Sequence, residues 1–357
     1  GRSMGRLILC LLTTLGCSYA GAHHTWAVDY VTDGQLAEIE GVVSSIAWVN
    51  PHVRFEVTVD SGASSEEVWH IAGTSVSNLA RMDINKDILA VGDSVRMAGF
   101  PARRSDNGMY MVNLLLPDGR EAVFQSNAEP RWPGEQIGNS ARIRGEIGEI
   151  DSAQLPTSIF SVWTTVVGIP ESRTLHPRAT EDYPISEAGH AAIAAYNPET
   201  DDPFGSCEPK GGSIVMDAPY PMELVDLGDT IQVKLEEYDL VRTIHLTDIH
   251  DDRNFEADLL GYSTGRWNGD TLLVTTTKFD YPFLNVGSVP HYIPQSRYAH
   301  YQETFRLGSD RDRLYYTLTV TDTEMLSEPL VMRKYYLFRP GETVQPYLCD
   351  EEGLFTD

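Results

Sequence analysis

Short segments in which apolar and polar residues alternate recur along most of the chain, and they constrain its fold more than any other feature. The first are IEGVVSSIAWV, VRFEVTVD and EEVWHIAG; a helical stretch, SVSNLARM, and two more alternating segments, DSVRMAGFPA and MYMVNLLLPDG, follow. Alternation with a period of two indicates strands with one buried face. Three strands, one helix and two strands is the order of a small OB-type barrel. We therefore predict an OB-like domain over residues 23–125.

A second series of alternating segments occupies the C-terminal part. It comprises TIQVKLEEY, LVRTIHL, TLLVTTTKF, HYQETFRL, RLYYTLTVTD and LVMRKYYLF. These predict a larger antiparallel β domain over residues 207–357, for which a calycin-like barrel is one form. Residues 126–206 are richer in proline and glycine and are predicted as a linker with a short helix, SEAGHAAIAAYN, capped by Ser186. The expected fold is mainly β with two short helices.

The start of the chain has the pattern of a secretory signal. Arg2 and Arg6 precede the apolar stretch LILCLLTTL, and the small residues AGA fit a cleavage site, so residues 1–22 are predicted as a cleaved signal peptide. No stretch reaches the roughly 20 apolar residues that a membrane helix needs. We expect a periplasmic or secreted protein without a transmembrane segment. Acylation at Cys17, which would make a lipoprotein, is the alternative.

Cysteines and charge narrow the compartment and the partners. After the predicted leader the chain contains Cys207 and Cys349, which we expect to form a structural disulfide in an oxidising compartment, with two free buried thiols as the alternative. Lysine and arginine total 27 against 52 aspartates and glutamates, a net charge of −25. Such a field repels phosphate backbones. The expected partner is a small molecule or a metal ion, and not a nucleic acid.

Two parts of the chain resemble exported bacterial proteins without an assigned activity. Residues 22–120, with AHHTW, EGVVSSIAWVNPHVRFEV, GDSVRMAGFPAR and LPDGRE, resemble domain-of-unknown-function family 6152, which is known for a histidine pair beside the leader and an Asn-Pro-His motif. From NPETDDPFGSCEPKG to QPYLCDEE the chain resembles the uncharacterised C-terminal region that often accompanies that family. The loop LTDIHDD departs from the relatives' pattern, which has an Asp-Gly step there. The resemblance implies export and implies no reaction.

The histidines beside the predicted cleavage site suggest a metal site. Cleavage after Ala22 would make His23 the first residue, whose α-amino group and imidazole can chelate one ion. His24 and His52, the latter in the NPH loop between the first two strands, are further candidate ligands. Such neutral nitrogen donors suit copper, and imidazole also suits zinc. The alternative is that His52 only stabilises the turn and the histidine pair is a tail.

The stretch GRWNGDTLLV predicts a tight hairpin. An Asn-Gly pair favours a type I′ turn, because both central residues need a positive φ, so we expect Asn268 and Gly269 at the centre. Arg266 is placed to stack on an aromatic ring, as an Arg-Trp pair does at the closed end of calycin barrels. Tyr262, Arg266 and Trp267 are therefore candidate ligand-binding residues, with structural closure of a barrel as the alternative.

Four ionisable residues of the second domain are candidates for catalysis. Glu237, Arg242, His245 and Glu303 lie on predicted strands. A buried arginine with two carboxylates and a histidine can form an acid/base site. It can equally form a polar network whose hydrogen bonds are all satisfied.

Three functions remain open. The sequence contains no Gly-x-Ser-x-Gly, P-loop, dinucleotide fingerprint or His-Glu-x-x-His motif, so nothing in it decides whether the protein is an enzyme. We first expect an exported binding protein whose larger β domain takes a small, partly apolar ligand of unknown identity. The alternatives are a copper- or zinc-binding protein or metalloenzyme, and a metal-independent enzyme with its acid/base site in the second domain.

Overall fold

The computed structural model is mainly β, as the alternating segments predict. It describes residues 30–60, 62, 66–144, 146, 148–166, 169–173, 175–177, 179–197, 201, 207–285 and 292–350. The predicted signal peptide, Cys17 and the histidines His23 and His24 lie outside the described residues.

The first five strands form a closed barrel with the order of an OB fold. They are β1 (Ala37–Ala47), β2 (Arg54–Asp60), β3 (Glu66–Ala72), β4 (Ser94–Pro101) and β5 (Gly108–Leu115). Strand β1 pairs antiparallel with β2 and β4, and a parallel pairing of β3 with β5 closes the barrel. Helix α1 (Val76–Arg81) lies between β3 and β4, and the Ser75 side chain caps it by accepting a hydrogen bond from the backbone N–H of Asn78. The predicted OB-like architecture is confirmed.

Apolar side chains fill this first barrel. Leu79 of α1 is completely buried and contributes to the same core as Phe55, Ile71 and Met97. Strand β1 approaches β2 closely at Gly41, where a Cβ atom would lie 2.4 Å from the carbonyl oxygen of Thr58. Two short strands, β6 (Glu121–Val123) and β7 (Gln136–Ile137), extend the sheet beyond β5.

Nine strands form the second sheet. They are β8 (Val162–Trp163), β9 (Met222–Asp226), β10 (Thr230–Leu235), β11 (Leu240–Leu246), β12 (Tyr262–Asn268), β13 (Thr271–Thr277), β16 (His300–Leu307), β17 (Arg313–Thr321) and β18 (Leu330–Leu337). The strands β14 (Phe283–Asn285) and β15 (Ile293–Pro294) form a separate pair. At the ends of the large sheet Thr164 and Leu337 exchange two backbone hydrogen bonds of 2.9 and 2.8 Å. The sheet therefore nearly closes into a second, larger barrel.

The segment predicted as a linker takes part in both sheets. Strand β7 pairs with β6 of the first sheet, and β8 pairs with β9 of the second. Trp163 of β8 is completely buried in the second core. The segment also contains α2 (Ala141–Arg144), α3 (Pro170–Arg173) and α4 (Glu187–Ala195), and α5 (Ile214–Asp217) follows it. Ser186 caps α4 as predicted, because its hydroxyl accepts from the backbone N–H of Gly189.

One pair of neighbouring strands in the larger sheet is parallel. Strands β11 and β12 pair in parallel from Ile244 to Leu246 and from Ser263 to Gly265, whereas the other neighbours in this sheet are antiparallel. Parallel neighbours need a connection that runs back along the sheet. Residues 247–261, called here the crossover segment, provide this connection and lie against the outer face of β12 and β13.

The hairpin between β12 and β13 forms one residue later than the sequence predicts. Asn268 pairs with Thr271, so the central residues of the turn are Gly269 and Asp270. Of these only Gly269 has a positive φ, 63°. The predicted type I′ turn centred on Asn268 and Gly269 is therefore wrong, because the strand continues through Asn268 and a glycine at the first central position suits a type II′ turn.

The two barrels are held together near α1 and the C-terminal segment. Cys207 and Cys349 form the expected disulfide, with Cα atoms 5.9 Å apart. Beside it, the backbone N–H of Asn50 donates to the carbonyl of Leu348 at 2.8 Å, which ties the C-terminal segment to the first barrel.

A buried ion pair adds a second connection between the barrels. Arg81 of α1 donates to Glu236, directly after β10, at 2.7 and 2.9 Å, and to Glu342 at 2.9 Å. Glu236 is completely buried. Among the described residues, no helix is long and apolar enough to cross a membrane.

Candidate functional site

Side chains from the surrounding strands meet inside the larger barrel. Trp163, Phe305, Tyr316 and Tyr336 are each at most 2% exposed and belong to one apolar core. Clefts that are large enough to hold a ligand lie outside this barrel, and two of them are described below. The interior itself contains a buried polar network.

Arg242 and Glu303 form a bidentate ion pair at the centre of that network. The Nη1 atom of Arg242 donates to Glu303 Oε1 at 2.8 Å, and Nη2 donates to Oε2. Arg242 also donates to the hydroxyls of Ser263 and Thr276, and the Tyr316 hydroxyl donates to Glu303 Oε1 at 2.7 Å. Both charges are thus paired and hydrogen-bonded, which is the arrangement that a buried ion pair needs.

Burial and the ion pair act in opposite directions on the pKa of Glu303. Burial by itself raises the pKa of this carboxyl, but the Arg242 guanidinium and its hydrogen bonds outweigh burial and hold the pKa below its ordinary value. Burial, together with the neighbouring Glu303 carboxylate, raises the pKa of Tyr316 well above its usual range, so its phenol stays protonated and donates to Glu303. The network is therefore an ion pair in which both charges are hydrogen-bonded.

The structure brings together two of the four predicted acid/base candidates. Arg242 and Glu303 meet, whereas Glu237 lies in a 3-10 turn and pairs with Lys210 Nζ at 2.7 Å. His245 lies on the outer face, with its ring stacked on that of Tyr262 at a centroid distance of 5.3 Å. Successive residues of a strand point to opposite faces, and the odd spacing from Arg242 to His245 places them on different sides of the sheet.

A polar groove of about 290 Å³ lies on the outer face of the larger barrel, beside the crossover segment. The strand register places Thr264 opposite Thr275, Thr275 opposite Gln302, and Gln302 opposite Thr319, so these side chains share the outer face. This outer groove is lined mostly by polar residues, with a few apolar ones: Thr247, Asp248, His250, Thr264, Gly265, Arg266, Leu273, Val274, Thr275, Gln302, Glu303, Thr304, Thr317 and Thr319.

The three predicted ligand-binding residues fall on two faces of β12. Arg266 lines the outer groove, and Tyr262 lies on the same face, four residues earlier. Trp267 points to the other face at the rim of the barrel, is 41% exposed, and contacts Phe160 at a centroid distance of 6.1 Å.

A larger cleft of about 630 Å³ lies outside both barrels, next to the β14–β15 pair. Four aromatic side chains surround it: Tyr196 directly after α4, Tyr281, Phe283 of β14, and Tyr292 directly before β15. Three carboxylates also line it: Asp201, Glu208 and Asp280. We call this set of seven residues the aromatic cleft.

The rings of the aromatic cleft contact one another. The centroid distances are 4.2 Å between Tyr196 and Tyr292, 4.8 Å between Phe283 and Tyr292, and 5.5 Å between Tyr281 and Phe283. The hydroxyl oxygen of Tyr281 is buried without a hydrogen-bond partner in the described part of the chain. Burial also raises the pKa of Tyr281, so this hydroxyl is neutral.

Sequence reasoning did not find the aromatic cleft. Its residues come from AAYNPETDD, CEP, FDYPF and HYIP, and in the first and third of these stretches an aromatic residue lies close to acidic ones. That proximity of rings and carboxylates in AAYNPETDD and FDYPF was the available signal. It becomes informative only when the fold places the loops together.

In the first barrel, the His52 ring is held by the backbone. Its Nδ1 atom lies 2.9 Å from the carbonyl oxygen of Gly73, which only accepts, so Nδ1 carries a proton and donates to it. The His52 ring also lies 5.8 Å from that of Tyr110, which contacts Tyr30 at 5.4 Å. Among the described residues, no group of three or more metal-binding side chains is arranged to hold an ion. His70, on β3, lies 3.7 Å from Glu56.

Comparison with known proteins gives one match. Residues 12–110 match the model of a family of unknown function, DUF6152. The matched range includes β1 to β4, His52 and the first residues of β5. No curated protein and no solved structure matches the chain. The resemblance of the N-terminal part to family DUF6152 is therefore confirmed.

Proposed function

We propose that the protein is an exported binding protein whose aromatic cleft takes a small organic cation. The observation that carries this proposal is the combination, in one cleft of about 630 Å³, of four aromatic rings and three carboxylates. Pockets for small ligands have volumes of roughly 300–1,000 Å³. The cleft is thus of the size that a small amine or quaternary ammonium compound requires.

The chemistry of the lining favours a cation over an anion or a neutral apolar ligand. The faces of tyrosine and phenylalanine rings attract ammonium groups, each by about 0.5–2 kcal/mol depending on how far the contact is desolvated. Asp201, Glu208 and Asp280 add negative charge at the edge of the cleft. The net charge of −25 also attracts cations from solution.

Export is part of the proposal and is supported by the disulfide. Disulfides persist in oxidising compartments and are rare in the cytosol. The Cys207–Cys349 bond and the leader-like pattern of residues 1–22 both agree with a periplasmic or secreted protein. We also propose that residues 207–357 are the companion region of the N-terminal family.

Choline and its neutral isostere 3,3-dimethyl-1-butanol provide the test. We expect calorimetry to detect binding of choline and at least about tenfold weaker binding of the isostere, because only choline gains from the rings and the carboxylates. Tyr292→Ala and Asp280→Asn should each weaken choline binding by about 3- to 30-fold.

Tyr298→Ala is the matched control, since Tyr298 is 59% exposed and lies outside the cleft. Circular dichroism spectra would show that each variant is folded. Equal affinity for choline and the isostere would overturn the proposal. So would an absence of choline binding at millimolar concentration.

A second function, binding of copper or zinc, is favoured by the orientation of His52. Metal-binding histidines usually donate their other ring N–H to a carbonyl or carboxylate, as His52 Nδ1 does to Gly73. The remaining ligands would be His23 and His24, with the α-amino group after cleavage at Ala22. Copper titration of the cleaved protein followed by native mass spectrometry tests this. The same affinity in His52→Gln as in the wild type would remove His52 from the site.

A further inference from the structure

A chain of four hydrogen-bonded side chains leads into the outer groove. The Thr277 hydroxyl lies 2.7 Å from Asp252 Oδ2 and 2.8 Å from His250 Nε2. On the other side of the ring, His250 Nδ1 lies 2.8 Å from the hydroxyl of Thr264, which lines the groove and is 5% exposed. The chain therefore connects a carboxylate with a hydroxyl inside a cleft.

With a neutral imidazole, the donors and acceptors of this chain have one consistent order. A carboxylate such as Asp252 only accepts, so the single hydroxyl hydrogen of Thr277 points to it. The Thr277 oxygen must then accept from His250 Nε2–H. In a neutral imidazole the other nitrogen is an acceptor, so Thr264 donates its hydroxyl hydrogen to His250 Nδ1. His250 is thus a base directed at the Thr264 hydroxyl.

The fold holds this base in place from several sides. Thr264 and Thr277 lie on the paired strands β12 and β13, where their register is set by the sheet. His250 belongs to the crossover segment, and its ring contacts that of Tyr262 at a centroid distance of 5.4 Å. The strand connection that makes β11 and β12 parallel is therefore also what brings the imidazole to Thr264.

We propose that the outer groove is a second, catalytic site that hydrolyses small esters, with Thr264 as nucleophile and His250 as general base. Thr264 Oγ1 attacks the ester carbonyl carbon while its proton passes to His250 Nδ1. The alcohol oxygen leaves with that proton, and an acyl-threonine remains. Water then attacks the acyl group, gives one proton to His250, and releases the acid; Thr264 Oγ1 regains that proton. One ester and one water become one acid and one alcohol.

Two further groups assist this reaction. Arg266 lies on the same face two residues after Thr264, about 7 Å along the strand, and we assign its guanidinium the role of stabilising the oxygen that becomes negative in the tetrahedral intermediate. Thr277 and Asp252 are positioning residues, because they orient His250 without touching the substrate. The arrangement of nucleophile, base and orienting group is the one that acyl transfer requires.

The lining of the groove indicates the substrate class. Thr275, Gln302 and Thr304 offer hydroxyl and amide groups, and the volume of about 290 Å³ suits a short acyl chain. We therefore assign acetyl esters of polyhydroxy compounds, such as acetylated sugars, as the substrate class. This inference does not depend on the aromatic cleft.

Hydrolysis of p-nitrophenyl acetate and of an acetylated monosaccharide by the full chain, with its disulfide intact, tests the proposal. Thr264→Val keeps the shape of the side chain and removes the nucleophile, so at least about 100-fold of the rate above buffer should be lost. Thr264→Ser should retain activity within about tenfold, because it keeps the hydroxyl. Asp252→Asn should lower kcat more than it changes KM.

The control and a direct readout complete the experiment. Thr243→Val removes an outward hydroxyl of β11 outside the groove and should leave the rate unchanged. Peptide mass spectrometry of the wild-type protein quenched during turnover should find an acetyl group on Thr264. If Thr264→Val does not fold, the same measurement on Thr264→Ser should find the acetyl group at position 264. Wild-type hydrolysis no faster than buffer would overturn the proposal, as would full activity in Thr264→Val.

Discussion

Replacing Glu303 by glutamine should destabilise the larger barrel strongly although the volume of the side chain hardly changes. Glu303 is 1% exposed and neutralises Arg242, which is 5% exposed. Glutamine leaves the guanidinium buried without a counter-charge and brings an amide N–H next to it. Breaking a buried pair in this way costs about 3–5 kcal/mol. At roughly 2–4 °C for each kcal/mol, the melting temperature should fall by about 10 °C.

The effect should also depend on pH in a defined direction. The pKa of Glu303 is lower in the folded protein than its ordinary value, because Arg242 outweighs the opposing effect of burial. The stabilisation by this group is therefore complete above the unfolded pKa of about 4.3 and is lost as the pH falls through the lower, folded pKa. The difference between wild type and Glu303→Gln should shrink over the same pH range.

Urea unfolding followed by circular dichroism, repeated from neutral pH downward, measures both effects. Gln302→Glu is the matched control, because it replaces an amide by a carboxylate at the neighbouring position, which lies on the exposed face of the strand. It should change the free energy of unfolding by at most about 0.5 kcal/mol. The reasoning is refuted if Glu303→Gln lies within about 1 kcal/mol of wild type at neutral pH.

Three other substitutions examine the connections within the fold. Replacing both Cys207 and Cys349 by serine removes a crosslink between residues 142 apart, so the unfolded chain gains entropy and the free energy of unfolding in urea should fall by about 5 kcal/mol. A loss below about 1 kcal/mol would contradict this argument from the entropy of the unfolded chain. Arg81→Ala leaves the buried carboxylate of Glu236 without its counter-charge and should lower the free energy of unfolding by about 3 kcal/mol. Faster proteolysis of the segment between the two barrels is a second readout. Trp163→Ala should cost about 3–5 kcal/mol in thermal unfolding, whereas the exposed Trp267→Ala should cost less than about 1 kcal/mol; equal losses would show that β8 is not part of the core.

Much of the architecture could be predicted because it is encoded locally. The alternation in β1 to β5, with α1 after β3, was sufficient for the OB-type order, since each of these strands is long enough to show its buried face. Ser186 could be recognised as a cap because capping depends on neighbouring residues. Strand β8 could not be predicted, because two residues, Val162 and Trp163, are too short to show alternation.

The candidate sites depended on contacts between distant residues. Tyr196 and Phe283 are far apart in the sequence, and only the placement of α4 beside the β14–β15 pair brings their rings to 6.3 Å. Arg242 and Glu303 were two of four acid/base candidates and do meet in the structure, but the sequence could not decide that His245 would face outward. That depends on the register of β11 in the closed sheet, where one residue of shift exchanges the two faces.

The sequence by itself determined the mainly β class, the order of the first barrel, the cysteine pair and the acidic charge, since each follows from composition or from a repeat of two residues. Only the tertiary structure decided that β11 and β12 are parallel, that the crossover segment carries His250 to Thr264, and that separate loops form the aromatic cleft. The physical reason is that a strand's pattern specifies which side is buried, whereas its neighbours and register are chosen by the packing of the whole barrel.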